Sequence, residues 1–154
     1  MKTTYLSIAL ISLAGHLTAA EVRLADCPAA VQATIQQNSR DGRIDEIESY
    51  SIQGKMLYVA EVELAGDRDL KIHVAADGAL VKTREDFSLG ETPEAVRKAV
   101  EGKLNGGMAD DVDRETVGQT ATYHVEIDRK GAPDLELMID SEGQILSEAE
   151  DTDD

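Results

Sequence analysis

The stretch TYHVEIDRKGAPDLELMIDSEGQIL, residues 122–146, has a counterpart in LYVAEVELAGDRDLKIHVAADGALV, residues 57–81, of the same 154-residue chain. The shift that lays Tyr58 on Tyr123 runs without insertion from Pro28 on Pro93 to Asp86 on Asp151. It superposes Gly42 on Gly107, Glu61 on Glu126, Asp69 on Asp134, Gly78 on Gly143 and Glu85 on Glu150. Apolar positions are kept where identities are not, as with Ile35 and Val100, Ile47 and Val112, and Ile72 and Leu137. A period of roughly 65 residues points to internal duplication, which decides the fold before any single element does.

Each copy opens on a helix signal, CPAAVQATIQQNSR or TPEAVRKAVEGKLN, with Pro at the first turn and Thr92 placed to cap the second copy. Val31 and Ile35, like Val96 and Val100, are four apart and share one helix face. Asp41-Gly42 and Gly106-Gly107 then stop the helices, glycine being the residue that most easily turns left-handed. In the strands that follow, Tyr58, Ala60, Val62 and Leu64 alternate with Glu61 and Glu63, and Tyr123, Val125 and Ile127 alternate with His124, Glu126 and Asp128. Leu70, Ile72 and Val74 alternate with Lys71 and His73, and Asp77-Gly78 and Glu142-Gly143 mark hairpins.

The pattern predicts an α+β protein of two tandem repeats, each one helix packed on a small antiparallel sheet of three to four strands. Units this small rarely fold alone, so the two should pack on each other across the joint DFSLGET, Asp86–Thr92. Residues 1–20, MKTTYLSIALISLAGHLTAA, run from Lys2 through an apolar stretch to small residues before Glu21. This is the order of a secretory leader cleaved after Ala20, and the apolar run is too short for a membrane span. The organisation read is therefore 1–20 signal peptide, 21–86 first repeat, and 87–154 second repeat with an acidic C-terminal tail.

Net charge is −16, and the leader removes Lys2 but no acid. Such a field repels phosphate backbones and anionic lipid, which excludes nucleic acid and membrane surfaces as partners and favours a protein with a basic surface. Cys27 is the only cysteine, so no intramolecular disulfide forms. Trp is absent and Phe87 is the only Phe, so the core rests on Val, Ile, Leu, Ala and a few Tyr. Oligomeric state is not legible.

The segments PAAV and PEAV at the helices, YVAEVEL and YHVEID at the strands, and VAADGALV and IDSEGQIL at the last hairpins resemble PepSY-like domains. These small exported modules are related in shape to beta-lactamase-inhibitory-protein-like repeats. The resemblance spans nearly the whole chain after the leader. It implies binding, often as restraint of a peptidase, and carries over no catalytic residue or cofactor. The chain departs from the family's form at Ala75, which stands where the second copy has Asp140.

No nucleophile and base, phosphate loop or zinc spacing occurs, so the chain reads as a non-enzyme without cofactor. The reading is an exported binding module, acting in the periplasm or outside the cell, that engages a peptidase or other envelope protein. The helix-free sheet face is the expected contact, through Glu61, Glu63, His73, His124, Glu126 and Asp128. The alternative is an acidic, calcium-responsive envelope protein. Asp110, Asp111 and Asp113 with the tail SEAEDTDD supply hard oxygen ligands, though without EF-hand spacing.

Overall fold

The computed structural model describes residues 18–150. Most of the segment read as a leader, residues 1–17, and the end of the acidic tail, 151–154, lie outside the described residues. The elements are β1 (Thr18–Glu21), α1 (Ala29–Asn38), β2 (Arg43–Ile52), β3 (Lys55–Leu64), β4 (Arg68–Ala75) and β5 (Leu80–Asp86). They continue with α2 (Glu94–Glu101), β6 (Met108–Val117), β7 (Thr120–Asp128), β8 (Leu135–Asp140) and β9 (Ile145–Glu150).

All nine strands form one antiparallel sheet in sequence order. The expectation of two repeats, each with its own small sheet, is therefore overturned. The cause is the pairing of β5 with β6, from Thr83 opposite Thr116 to Asp86 opposite Asp113, continued by Phe87 N–H to Val112 C=O at 2.7 Å. Two open edges would each have left a row of backbone donors and acceptors without partners; joining them satisfies both. The halves thus meet edge to edge rather than face to face.

Both helices lie on one face, α1 against β4 and α2 against β8. Val31 and Ile35 are buried with Ile47, Ala60, Val62, Leu70, Ile72 and Val74. Val96 and Val100 are buried with Val112, Tyr123, Val125, Ile127, Leu135, Leu137 and Ile139. Cross-strand register carries this face through the junction: Leu70 is opposite Glu85, Glu85 opposite Arg114, and Arg114 opposite Tyr123. Between the two apolar clusters the helix side of the sheet is therefore polar. Glu85, 3% exposed, accepts from Arg40 and Arg114 at 2.8 Å each and from Arg68. The guanidiniums of Arg114 and Arg68 stack on Phe87, 4.5 and 5.3 Å from its centroid.

Two local readings are corrected by packing. Gly42 does not itself turn left-handed; Arg40 and Asp41 do, with φ of 50° and 62°. Gly42 is required for space, since a Cβ there would stand 2.6 Å from Val62 Cγ1 and 2.7 Å from the Glu63 carbonyl. Thr92 does not cap α2: its hydroxyl donates to the Leu89 carbonyl at 2.7 Å, and a capping box forms one turn earlier between Ser88 and Glu91.

β1 pairs with β2 from Thr18 opposite Ser51 to Glu21 opposite Glu48. Cleavage after Ala20 would remove most of β1 and leave Val22 N–H, bonded to Ile47 C=O at 2.8 Å, to hold that edge.

Candidate functional site

The face opposite the helices bears the polar residues that alternate with the buried ones on β3, β4 and β7. Glu61 and Glu63 of β3, His73 of β4, and His124, Glu126 and Asp128 of β7 all project there, out of step with the buried Ala60, Val62, Ile72, Val125 and Ile127. Glu63 and Asp128 are exposed; the other four are partly buried. The six fall into two groups, on β3–β4 and on β7, separated by β5 and β6.

Those two middle strands carry what sequence reasoning missed. Lys82 and Arg84 of β5, with Lys71 of β4, make a basic stripe down the centre of an otherwise acidic face. Each is tied to an acid: Lys82 to Glu115 at 2.7 Å, Arg84 Nε to Asp113 at 2.7 Å, and Lys71 to Glu61 at 3.9 Å. The pairs Lys82–Glu115 and Arg84–Asp113 cross from one half to the other, so they could not be read until β5 was known to pair with β6. The stripe's own trace in the sequence is the alternation of Lys82 and Arg84 with Thr83 and Glu85.

Two grooves open on this face. One, of about 300 Å³, runs over β6–β9 between Asp111, Glu126, Glu136, Met138, Ser147 and Ala149. The other, of about 360 Å³, lies over β3–β6 between Glu61, Asp69, Lys71 and Asp86. Arg84, Asp111 and Asp113 border both, so the grooves adjoin at the junction of the halves. Carboxylates outnumber cations along each.

The electrostatics follow from this crowding. Burial pushes the Asp86 carboxyl above its ordinary range, reinforced by Asp113, Asp69 and Asp111 against a backbone hydrogen bond from Asp69. Burial also pushes the His73 imidazole down, with Lys82 adding to the effect and Glu115 opposing it. Lys82 draws Glu115 down against the opposing effect of burial. In the wall of the first groove, Nε2 of His124 is buried with no hydrogen-bond partner.

The three aspartates considered for calcium sit on β6, not in a loop, at the irregularity between Ala109 and Val112. They are not gathered: Asp113 is held by Arg84, Asp111 borders the grooves, and Asp110 is near enough to Asp128 to raise its pKa, an effect led by burial. The compact carboxylate group among the described residues is instead Glu126, Asp128 and Asp134, with ligand oxygens within 4.8 Å of one another. Part of the acidic tail, Ser147–Glu150, belongs to β9. No helix among the described residues is long and apolar enough to cross a membrane.

No protein-family model matches the chain, and no curated protein matches its sequence. Solved structures do match. A DUF2874 family protein from Bacteroides ovatus is 19% identical, with a TM-score of 0.66 over 82% of this chain and 89% of that one. A BLIP-like protein from Bacteroides fragilis is 20% identical, with a TM-score of 0.64 over 83% and 89%. A protein from Bacteroides eggerthii, provisionally named periplasmic, is 17% identical, with a TM-score of 0.67 over 80% and 88%. At such identities the likeness is one of architecture: the chain shares the fold of these DUF2874 and BLIP-like proteins, and the finer PepSY-like assignment has no counterpart among them.

Proposed function

We propose that the protein is a non-enzymatic exported binding module that receives a basic protein surface on its helix-free sheet face. The observation that carries this reading is the one-sided fold. Both helices cover the same side of a nine-stranded sheet, and the uncovered side holds two adjoining grooves with an excess of carboxylates. A rigid sheet displays those side chains in fixed rows, which lowers the ordering cost of binding. The BLIP-like likeness supports a binding role and the periplasmic name of a structural neighbour supports action in the cell envelope. Restraint of a peptidase or other envelope protein is the finer role within this reading. The residues proposed to meet the partner are Glu61, Glu63, His73, His124, Glu126 and Asp128.

Reversing Glu61 and Glu126 to Lys tests the face. Surface charges of this kind act mainly on encounter, so association with a partner recovered from the native envelope should slow at least about tenfold, with little change in dissociation. Thermal stability should hold. Unchanged association kinetics in a folded double variant would move the binding site elsewhere.

A further inference from the structure

We propose that the partner is anchored on an apolar patch of the helix-free face, formed by Tyr50, Leu57 and Val59, through a segment that presents apolar side chains flanked by lysine or arginine. The inference rests on the reading of that face as the docking surface and adds where the contact is centred and what it takes.

The argument comes from laying one half on the other. On β2 and β3, Tyr50 stands opposite Leu57 and Glu48 opposite Val59, and β4 continues the two rows with Ala75 and His73. These side chains alternate with the buried Ser49, Ala60 and Val74, so Tyr50, Leu57, Val59 and Ala75 lie on the side away from α1. None of the four belongs to the core cluster of its half. In the shared register their counterparts are Glu115, Thr122, His124 and Asp140. The second half, with the same strands and a helix on the same side, thus carries polar groups at all four positions. The fold does not require apolar side chains there, and a contact from outside the chain is what completes their burial.

Charge identifies the occupant. Next to the patch on the same face Glu46 stands opposite Glu61, and Glu48 accepts from the Tyr50 hydroxyl. Lys71 pairs with Glu61 at 3.9 Å, but the charges that act most on Glu46 are other acids, Glu48, Glu21 and Glu61. Desolvation comes first and those acids follow in pushing the Glu46 carboxyl above its ordinary range. A second copy of this acidic chain, or an anionic lipid surface, would add to the repulsion, whereas a basic segment removes it. An apolar centre within a charged rim is also the usual anatomy of a protein interface, and Tyr is among the residues that most often carry its energy.

The test uses the whole chain and a defined probe, the capped peptide Lys-Phe-Lys-Leu-Lys. Lys-Ser-Lys-Ser-Lys controls for charge alone and Glu-Phe-Glu-Leu-Glu for apolar content alone. The expected result is a saturable shift of the Leu57 and Val59 methyl resonances with the first peptide, while Met108 and Leu146, exposed elsewhere on the molecule, stay still. Each control should bind at least about tenfold more weakly. Leu57→Thr, which installs the second half's residue, and the isosteric Val59→Thr should each weaken the peptide about fivefold or more and leave the melting temperature within about 3 °C. Glu46→Gln should weaken it about threefold, as loss of one screened charge contact does. Resonances of Leu57 and Val59 that do not move, a shift that grows without saturating, equal binding of either control, or wild-type binding by the folded Leu57→Thr protein would each overturn the proposal. A melting temperature lowered by about 10 °C or more in both variants would show the patch to be part of the core and overturn it too. So would a wild-type dimer that Leu57→Thr returns to monomer in sedimentation, which gives the patch to a second copy. If Glu61→Lys/Glu126→Lys slows the native partner while Leu57→Thr/Val59→Thr does not, the anchor is wrong and the face is right. If neither affects the partner, the reading of the face falls with it.

Discussion

Glu85 and Glu150 hold the same place in the register that relates the two halves, near the ends of β5 and β9, yet their surroundings are opposite. Glu85 is 3% exposed and bound by three arginines. Glu150 has a side chain 58% exposed and, among the described residues, pairs with Arg129 at 2.8 Å. The local sequences, KTRED and SEAED, give no hint of this. The difference arises because β5 has a strand on each side, and β6 brings Arg114 across the junction, whereas β9 ends the sheet. Of the other two arginines, Arg40 corresponds to Asn105 and Arg68 to Pro133, so the second half lacks the means to build a copy of the cluster. Position in the sheet, together with those few residues, turns one repeated acid into the polar link between the halves and leaves the other at the rim.

The widest separation between the two acids should appear in stability. Glu85→Gln leaves three guanidiniums crowded without their carboxylate and should cost about 2–3 kcal/mol, below the figure for a fully buried pair because the arginines are partly solvated. Glu150→Gln should stay within about 0.5 kcal/mol, as exposed pairs do. Urea unfolding of the two variants side by side measures this. Equal losses would mean that the cluster does not join the halves.

A smaller effect should appear in acid. Burial alone would raise the Glu85 carboxyl, but the Arg40 hydrogen bond and the charges of Arg40 and Arg114 outweigh it and hold the group below its ordinary 4.5. A carboxyl depressed in the folded state contributes stability that is complete above its unfolded pKa and is lost as pH falls through the folded value. Stability should therefore decline below about pH 4.5 more steeply in the wild type than in Glu85→Gln. Glu150→Gln should keep the wild-type slope. Parallel acid profiles for wild type and Glu85→Gln would show that the cluster does not shift the proton equilibrium.

Legibility in the sequence divides along the same line. The apolar periodicities that place Val31, Ile35, Val96 and Val100 against the sheet, and that separate Ala60 and Val62 from Glu61 and Glu63, act within one element or between near neighbours. Side-chain pattern records them directly. The joining of β5 to β6 is made by backbone groups that every residue possesses, so no pattern of residue types marks it, and the expectation of two small sheets followed. The cost carried through to the site. Without the junction, the pairing of Lys82 with Glu115 and of Arg84 with Asp113 and the meeting of two grooves at Arg84 could not be seen. Gly42 shows the same limit on a small scale, since its role depends on Val62 and Glu63 from a neighbouring strand rather than on its own turn.

The smallest and most local difference concerns the backbones of β5 and β9 themselves. The β5 ladder is bonded to β4 and β6, so its amides open only when the middle of the sheet opens. Among the described residues β9 is bonded to β8 alone, and all but its first residue are exposed. Its hydrogen bonds can fray singly. Native-state hydrogen exchange should therefore find β5 amides protected close to the global limit. The amides of β9 bonded to β8 should exchange at least about tenfold faster, a gap of ~1.4 kcal/mol in opening free energy. The contrast should persist in Glu150→Gln, because it derives from topology rather than from that charge. Protection of β9 equal to that of β5 would mean that its outer edge is covered in solution. An edge strand offers another chain a row of unmatched donors and acceptors, so the same sample would then show a second copy by sedimentation.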